Sequence, residues 1–279
     1  MRFLACSVNG PFGLPPDETL ERVLSLAEEA GMRGAGLTVL PEYLDALGRE
    51  DMPSHAHLPG NHLWERLSGM ARRYGMHLVA PLLLRGGEGI YNSALLFGPE
   101  GELLGRYDKT HISASEEGMG IVPGSELKVF RTRIGGLGVM LCFDAYFPEV
   151  SRVLGLKGAR LIAFPTTQRS EPEEFVLLQA RARAMDSCAF VLRASYGVPR
   201  GRAWGPGMPA GRALVVAPDG TVLADSGREE GLACAWIDPD APYLRPLSHG
   251  MPEAPQRDSF FSRRRPELYG PLTEGTYDP

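Results

Sequence analysis

Cysteine is scarce in this chain: only Cys6, Cys142, Cys188 and Cys234 occur among 279 residues, widely separated and with no C-x-x-C pair. That spacing excludes a disulfide framework and a zinc-ribbon site, and it points to a reduced, cytoplasmic compartment. Long apolar runs are missing as well. No stretch approaches the ~18 to 20 residues needed to span a bilayer, IGGLGVMLCF being among the longest uncharged runs. The first residues, MRFLACSVNGPFG, carry one positive charge and too short an apolar run for a secretory signal. Nor is there a surplus of basic charge. Lys and Arg number 29 against 34 Asp and Glu, a net charge of −5, so neither nucleic acid nor an anionic membrane is an expected partner. Low-complexity tracts, linker-like stretches and short repeats are absent too. With 43% hydrophobic residues the chain can bury one large core, which excludes global disorder.

What is present is an alternation of β-rich runs and helical periods. Residues 2–8 read as a strand and 17–32 as a helix, with Asp17 as its cap and Leu20, Val23, Leu24 and Ala27 on one face. GLTVLP, HLVAPLLL, RLIAFP, AFVLRAS and LACAWID read as strands. Residues 62–74, 148–157 and 171–186 read as helices, Pro148 suiting a first turn. Hairpins are expected in YNSALLFGPEGELLGRYDK, in LKVFRTRIGGLGVMLCF with Gly135 and Gly136 at its turn, and in ALVVAPDGTVLADS. The last stretch is rich in Pro and Arg and shows no period. The pattern predicts a single α/β (α+β) domain over residues 1–279, with 243–279 an extended C-terminal tail.

Three polar residues end strand-like runs: Glu42 after GLTVLP, Lys109 after GELLGRYD and Cys142 after IGGLGVML. A reactive group held at the end of a buried strand is the usual place for function in sheet proteins. Singly, each has a bland reading as a solvated carboxylate, a surface lysine or an inert core thiol. Together they form a chemical set. A carboxylate can accept the thiol proton, and an ammonium can favour the thiolate and hold an oxyanion, with the Phe143 backbone N–H as a second donor.

Other constellations compete. SHAHLPGNH, with His55, His57 and His62, has an H-x-H pair that could ligate a metal, but Pro53 and Pro59 surround it and no carboxylate or cysteine cluster completes a shell. His111 could partner Cys142 in a thiol-protease arrangement. RGGEGI and RIGGLG lack the strand-to-helix context of a phosphate cradle and read as hairpin turns. Trp204 and its loop, GRAWGPGMPAGR, suit either a mobile pocket rim or an exposed surface loop.

The segments VLPEY, GRYDKTH and MLCFDAYFPEVSR closely resemble the three signature blocks of the nitrilase superfamily of carbon–nitrogen hydrolases, in the same order and spacing. YNSALLFGPEG, Val122–Gly124, GARLIAFPT, QARARAMDS, VVAPDGTVLA and RRRPELYG extend the resemblance over nearly the whole chain. It implies a four-layer α-β-β-α sandwich that forms a homodimer or a larger even-numbered homo-oligomer, often with the tail crossing to the partner. It implies Glu42 as general base, Lys109 as oxyanion-stabilising lysine and Cys142 as nucleophile, with no cofactor and no metal. A second glutamate lies, in the family, seven residues before the turn glycine; counting back from Gly124 gives Glu117, one residue from Glu116.

The expected substrate is a small linear amide or N-carbamoyl compound, cleaved through a Cys thioester. FDAYFPE suits the amidase and carbamoylase branches better than true nitrilases. Nitrile hydrolysis and a catalytically silent scaffold are the alternatives. Tyr146, Thr166 and Thr167 are the expected substrate contacts. Tyr146 stands where amidases of ω-carboxylates often have Arg; Ser195 and Gly211–Ala213 also depart from the family pattern. Arg169, Arg193, Arg200 and Arg202 could bind a substrate carboxylate, or pair with Glu171, Glu173 and Glu174.

Overall fold

The computed structural model describes residues 1–169, 171–205 and 207–274. Strand β1 (Phe3–Pro11) leads into α1 (Pro16–Met32) and β2 (Ala35–Val39); a 3-10 turn (Met52–His55) precedes α2 (His62–Tyr74). Strands β3 (His77–Gly86), β4 (Gly89–Phe97) and β5 (Leu103–Asp108) form a meander, followed by the short helix α3 (Ala114–Gly118). Then come β6 (Val129–Thr132), β7 (Gly135–Val139), a 3-10 turn (Cys142–Tyr146), α4 (Pro148–Leu156), β8 (Leu161–Pro165), α5 (Glu173–Ser187) and β9 (Phe190–Gly197). Strands β10 (Leu214–Val216), β11 (Val222–Asp225) and β12 (Gly231–Ile237) complete the first compact unit, Met1–Asp240.

Local chemistry explains the boundaries. Helix α1 starts with Pro16 in its first turn and carries Asp17 and Glu18 there, favourable at the positive end of the helix dipole. The Asn61 side chain accepts from the Trp64 N–H at 3.0 Å to cap α2, and Gly75 ends it in the left-handed region at φ 61°. Gly135, expected in a hairpin turn, instead opens β7 with φ 110°.

The strands run in the order β5-β4-β3-β2-β1-β9-β8-β7-β6, with β12 on β1 and the β10–β11 pair on β9. Parallel pairing of Asn9, Gly10 and Pro11 with Ser195, Tyr196 and Gly197 joins the β1 half to the β9 half. The halves stack: the Ser7 hydroxyl on β1 donates to the Leu214 carbonyl on β10 at 3.0 Å, with both residues buried. Helices α1 and α2 cover the outer face of the first half, and α4 and α5 that of the second. The result is a four-layer α-β-β-α sandwich. Strand β1 is buried on both faces, and its polar residues Ser7 and Asn9 are satisfied by the Leu214 and Glu229 carbonyls.

Two expectations need correction. The tail is not simply extended: the second unit begins at Ala241 and contains the pair β13 (Leu244–Pro246) and β14 (Glu253–Pro255), helix α6 (Gln256–Ser262) and two 3-10 turns. Prolines break it into pieces too short to display a hydrophobic period. The cysteines are not all free either. Cys6 and Cys234 are disulfide-bonded, 228 residues apart in sequence yet directly opposed in the antiparallel β1–β12 pair. Sequence spacing says nothing about such a cross-strand neighbour, and the ground for expecting a reduced compartment goes with it. Among the described residues no helix is long and apolar enough to cross a membrane.

The disulfide gives a direct check. Unfolded without reductant, the chain is expected to titrate two thiols, Cys142 and Cys188, rather than four. Closing so long a loop should stabilise the fold by about 5 kcal/mol in the chain-entropy limit, so a Cys6→Ser/Cys234→Ser variant is expected to unfold at markedly lower denaturant. Equal midpoints would show that the link contributes nothing.

Candidate active site

The polar residues singled out in the sequence converge at the C-terminal ends of strands drawn from both half-sheets. Glu42 lies three residues beyond β2, Lys109 directly follows β5, Cys142 lies three beyond β7 and Thr166 directly follows β8. Glu42 and Lys109 are almost fully buried, at 0% and 2% exposure. The Lys109 ammonium donates to Glu42 Oε1 at 3.2 Å and to Glu116 Oε2 at 2.7 Å. Asn92 on β4 donates to the same two carboxylates, at 2.8 and 3.0 Å. Thr167 donates to Glu42 Oε2 at 2.8 Å, and the Tyr196 hydroxyl holds the Glu42 carbonyl at 3.0 Å.

The glutamate that meets Lys109 is Glu116, whereas the count back from Gly124 gave Glu117. Glu116 is 1% exposed and also accepts from Tyr43 at 2.6 Å and from the Ser113 N–H and hydroxyl at 3.0 and 2.8 Å. Glu117 points to solvent. The reason is helical: α3 turns about 100° per residue, so only one of two adjacent glutamates can face Lys109. The turn glycine that served as the counting mark is required for a different contact. Gly124 donates its N–H to the Lys109 carbonyl at 2.7 Å, and a Cβ there would lie 2.2 Å from the Asp108 carbonyl oxygen.

Cys142 opens a 3-10 turn at φ 41°, in the left-handed region that a β-carbon disfavours. Such a backbone typically costs ~1–3 kcal/mol and persists only where neighbours over-determine it. Asp144 supplies that constraint. Its fully buried carboxylate accepts from the Leu141 N–H at 2.8 Å and Tyr107 at 2.7 Å on one oxygen, and from Thr110 at 3.0 Å and the His111 N–H at 2.9 Å on the other. It thereby ties the cysteine turn to the segment after Lys109. His111 is held by this same carboxylate at 2.9 Å and stacks on Phe147, so it is a member of the clamp rather than a partner for Cys142.

Electrostatics follow from the packing. Burial pushes the Cys142 thiol up to about 12, Glu42 adding to the rise and Lys109, Thr166 and the Thr167 N–H opposing it. Burial alone would lower the Lys109 ammonium, yet Glu42, Cys142 and Glu116 hold it above its ordinary range, fully protonated. Burial alone would raise the Glu116 carboxyl, and Lys109, Tyr43 and Asn92 instead hold it below its ordinary value.

The other expected contacts are placed as follows. Thr166 and Thr167 hydrogen-bond Cys142 and Glu42. Tyr146 donates to Glu171, which lines a cavity of about 1030 Å³ together with Arg169, Glu173, Trp204 and Arg228. Trp204 is therefore a rim residue, under the Arg228 guanidinium. Glu173 pairs with Arg212 and Arg228 rather than with the arginines nearest in sequence. His57 pairs with Asp45, and among the described residues no cluster of three or more His, Cys, Asp or Glu could hold a metal. Asn92, Tyr43 and Asp144 were not anticipated. Asn92 carried one signal, a polar side chain inside the apolar run YNSALLF.

Because the Glu116 carboxyl is depressed in the fold, its stabilisation is fully present above its ordinary value of 4.5 and lost as pH falls below it. Glu116→Gln is expected to lower stability at pH 7 by about 3 kcal/mol and to flatten the acid limb of a denaturation-midpoint-versus-pH curve. Glu117→Gln should leave both unchanged; equal behaviour of the two variants would refute the assignment.

Comparison with known proteins agrees with this geometry. The carbon-nitrogen hydrolase family model matches residues 7–243. The chain is 32% identical over 253 residues to an omega-amidase of Xenopus tropicalis, covering 86% of this chain and 89% of that protein. It is 33% identical over 235 residues to a nitrilase of Pyrococcus abyssi, covering 81% and 85%. Among solved structures it superposes, with a TM-score of 0.73 and 25% identity, on a glutamate variant of the amidase from Nesterenkonia sp. AN1 whose active-site cysteine carries a Michael adduct of acrylamide; 98% of this chain and 99% of that one are covered. The chain belongs to the carbon–nitrogen hydrolase family of the nitrilase superfamily and is a hydrolase of that kind.

Proposed function

We propose that the enzyme cleaves a small linear amide or N-carbamoyl compound through a thioester on Cys142. The observation that carries this reading is the buried junction of Glu42, Lys109 and Glu116 beside a thiol held in a left-handed turn. In the first half-reaction Cys142 transfers its proton to Glu42 as its sulfur bonds the carbonyl carbon. The oxyanion is held by the Lys109 ammonium and the Phe143 N–H. The C–N bond breaks as Glu42 returns the proton to the departing nitrogen, releasing ammonia or an amine. In the second, water gives a proton to Glu42 and adds to the thioester; the C–S bond breaks, the acid leaves and Glu42 reprotonates the thiolate. Glu116 acts through Lys109, keeping the ammonium charged and aimed.

Specificity on this reading belongs to the Tyr146–Glu171 wall and the cavity beyond it, and the amidases among the relatives favour amides. A panel of amides, N-carbamoyl compounds and nitriles, followed by ammonia release with Cys142→Ala as blank, tests the assignment. Amides or carbamoyl compounds should be turned over best, and Lys109→Ala should lose at least ~100-fold. Nitriles outrunning every amide would overturn the branch, and activity in Cys142→Ala the mechanism. Glu42→Gln separates two roles of one carboxylate. Removing its charge should lower the thiol pKa and speed alkylation of Cys142 at pH 9, while turnover falls at least ~100-fold; parallel changes would contradict the base assignment.

Assembly is part of the same reading. Leu178 and Met185 lie two turns apart on one face of α5 and are 65% and 40% exposed, and Leu156 at the end of α4 is 39% exposed. We assign this face to a homodimer contact, compatible with larger even-numbered assemblies. Light scattering should return at least twice the chain mass, and Leu178→Glu should reduce it; a monomer would refute the assignment.

A further inference from the structure

Arg193 lies on β9 and is fully buried, yet among the described residues it has no carboxylate partner. One terminal nitrogen donates to the Gly211 and Arg212 carbonyls, both at 2.7 Å, and the other to Gln168 Oε1 at 3.3 Å. Its Nε finds no acceptor, and its guanidinium faces the Phe164 ring at 5.8 Å. A buried cation satisfied only by neutral groups is expensive. Burial lowers the guanidinium to about 10, so it still carries its charge at neutral pH.

The surrounding hydrogen bonds lead to the reacting sulfur. Gln168, anchored by its own donation to Gln179 on α5 at 2.8 Å, gives its backbone N–H to the Thr166 hydroxyl at 3.2 Å. That hydroxyl in turn bonds Cys142. The groups of opposite or potential negative charge felt by Arg193 are Cys142 first, then Asp225 on β11 and Tyr146 on the cysteine turn. Asp225 is already paired with Arg212, and Tyr146 donates to Glu171. On the Cys142 side the charged neighbours are Glu42 and Lys109. Of these groups Cys142 is the one that the hydrogen-bonded path through Gln168 and Thr166 reaches, and its negative charge appears when the thiol ionises.

We propose that Arg193 is a positioning residue for Cys142, a buried cation that favours the thiolate through Gln168 and Thr166. The inference rests on the reading of Cys142 as nucleophile, and it assigns to Arg193 a task different from binding a substrate carboxylate, since both of its terminal nitrogens are already engaged by Gly211, Arg212 and Gln168.

The test is the alkylation of Cys142 by iodoacetamide in the full-length protein between pH 7 and 10, quantified by mass spectrometry of its peptide, with the buried Cys188 as internal reference. Arg193→Met should alkylate about tenfold more slowly at each pH, the effect of one pKa unit, and kcat should fall in parallel while KM stays within twofold. Arg193→Lys should return to within threefold of wild type, because charge rather than the fork to Gly211 and Arg212 is what matters. Should the methionine variant not fold, Arg193→Gln, which can still donate to those carbonyls, carries the same tenfold expectation. Wild-type alkylation in the neutral variants, or equal losses in lysine and methionine variants, would overturn the proposal. Alkylation needs no turnover, so a protein that hydrolyses none of the test amides yet shows this pattern would sink the amidase reading and leave Arg193 standing.

Discussion

One lysine between two buried carboxylates fixes the architecture of the site. Charges this deep persist only when paired and hydrogen-bonded, and breaking such a set typically costs ~3–5 kcal/mol. Lys109 meets Glu42 and Glu116 from different elements, so the end of β2, the end of β5 and the start of α3 must arrive together. Glu42 extends the constraint across the sandwich. Asn92 reaches it from the first half-sheet, and Thr167 from the loop after β8 in the second. The two halves are therefore held in register by polar bonds at the site as well as by apolar packing below it. A shift of one half against the other would leave several buried donors unmatched at once.

Asp144 does for the cysteine turn what Lys109 does for the carboxylates. A left-handed cysteine would relax if its flanks were free, and the donors gathered on this carboxylate remove that freedom. Tyr107 and Tyr43 serve as donors here because burial, reinforced by neighbouring carboxylates, holds both phenols well above their ordinary range.

The sequence displayed the strand ends plainly, because Glu42, Lys109 and Cys142 each close a strand-like run. It displayed the layers for the same reason: strands and helices of ordinary length show their periods. It could not separate Glu116 from Glu117, since that choice depends on the phase of a five-residue helix. Nor could it reveal the partnership of Cys6 with Cys234, or the burial of Arg193, expected to bind a substrate carboxylate or to pair with Glu171, Glu173 or Glu174, in a strand β9 covered on both faces. The last two are facts about which strand lies beside which. Composition and local spacing carry no such information.

The placement of charge also explains why a thiol near 12 can serve as a nucleophile on the proposed pathway. At rest the cluster holds one ammonium, two carboxylates and a neutral thiol, a net charge of −1. Passing the thiol proton to Glu42 moves one negative charge from oxygen to sulfur and leaves the total unchanged. Attack moves it again, from sulfur to the carbonyl oxygen, still beside Lys109. Expulsion of the amine returns it to Glu42. The site therefore never has to desolvate an additional charge during turnover; it relocates one already buried among fixed donors, which is the condition under which preorganised dipoles lower a barrier most. A thiolate stabilised outright would begin the reaction with its charge already settled on sulfur, and attack would then have to pull it away.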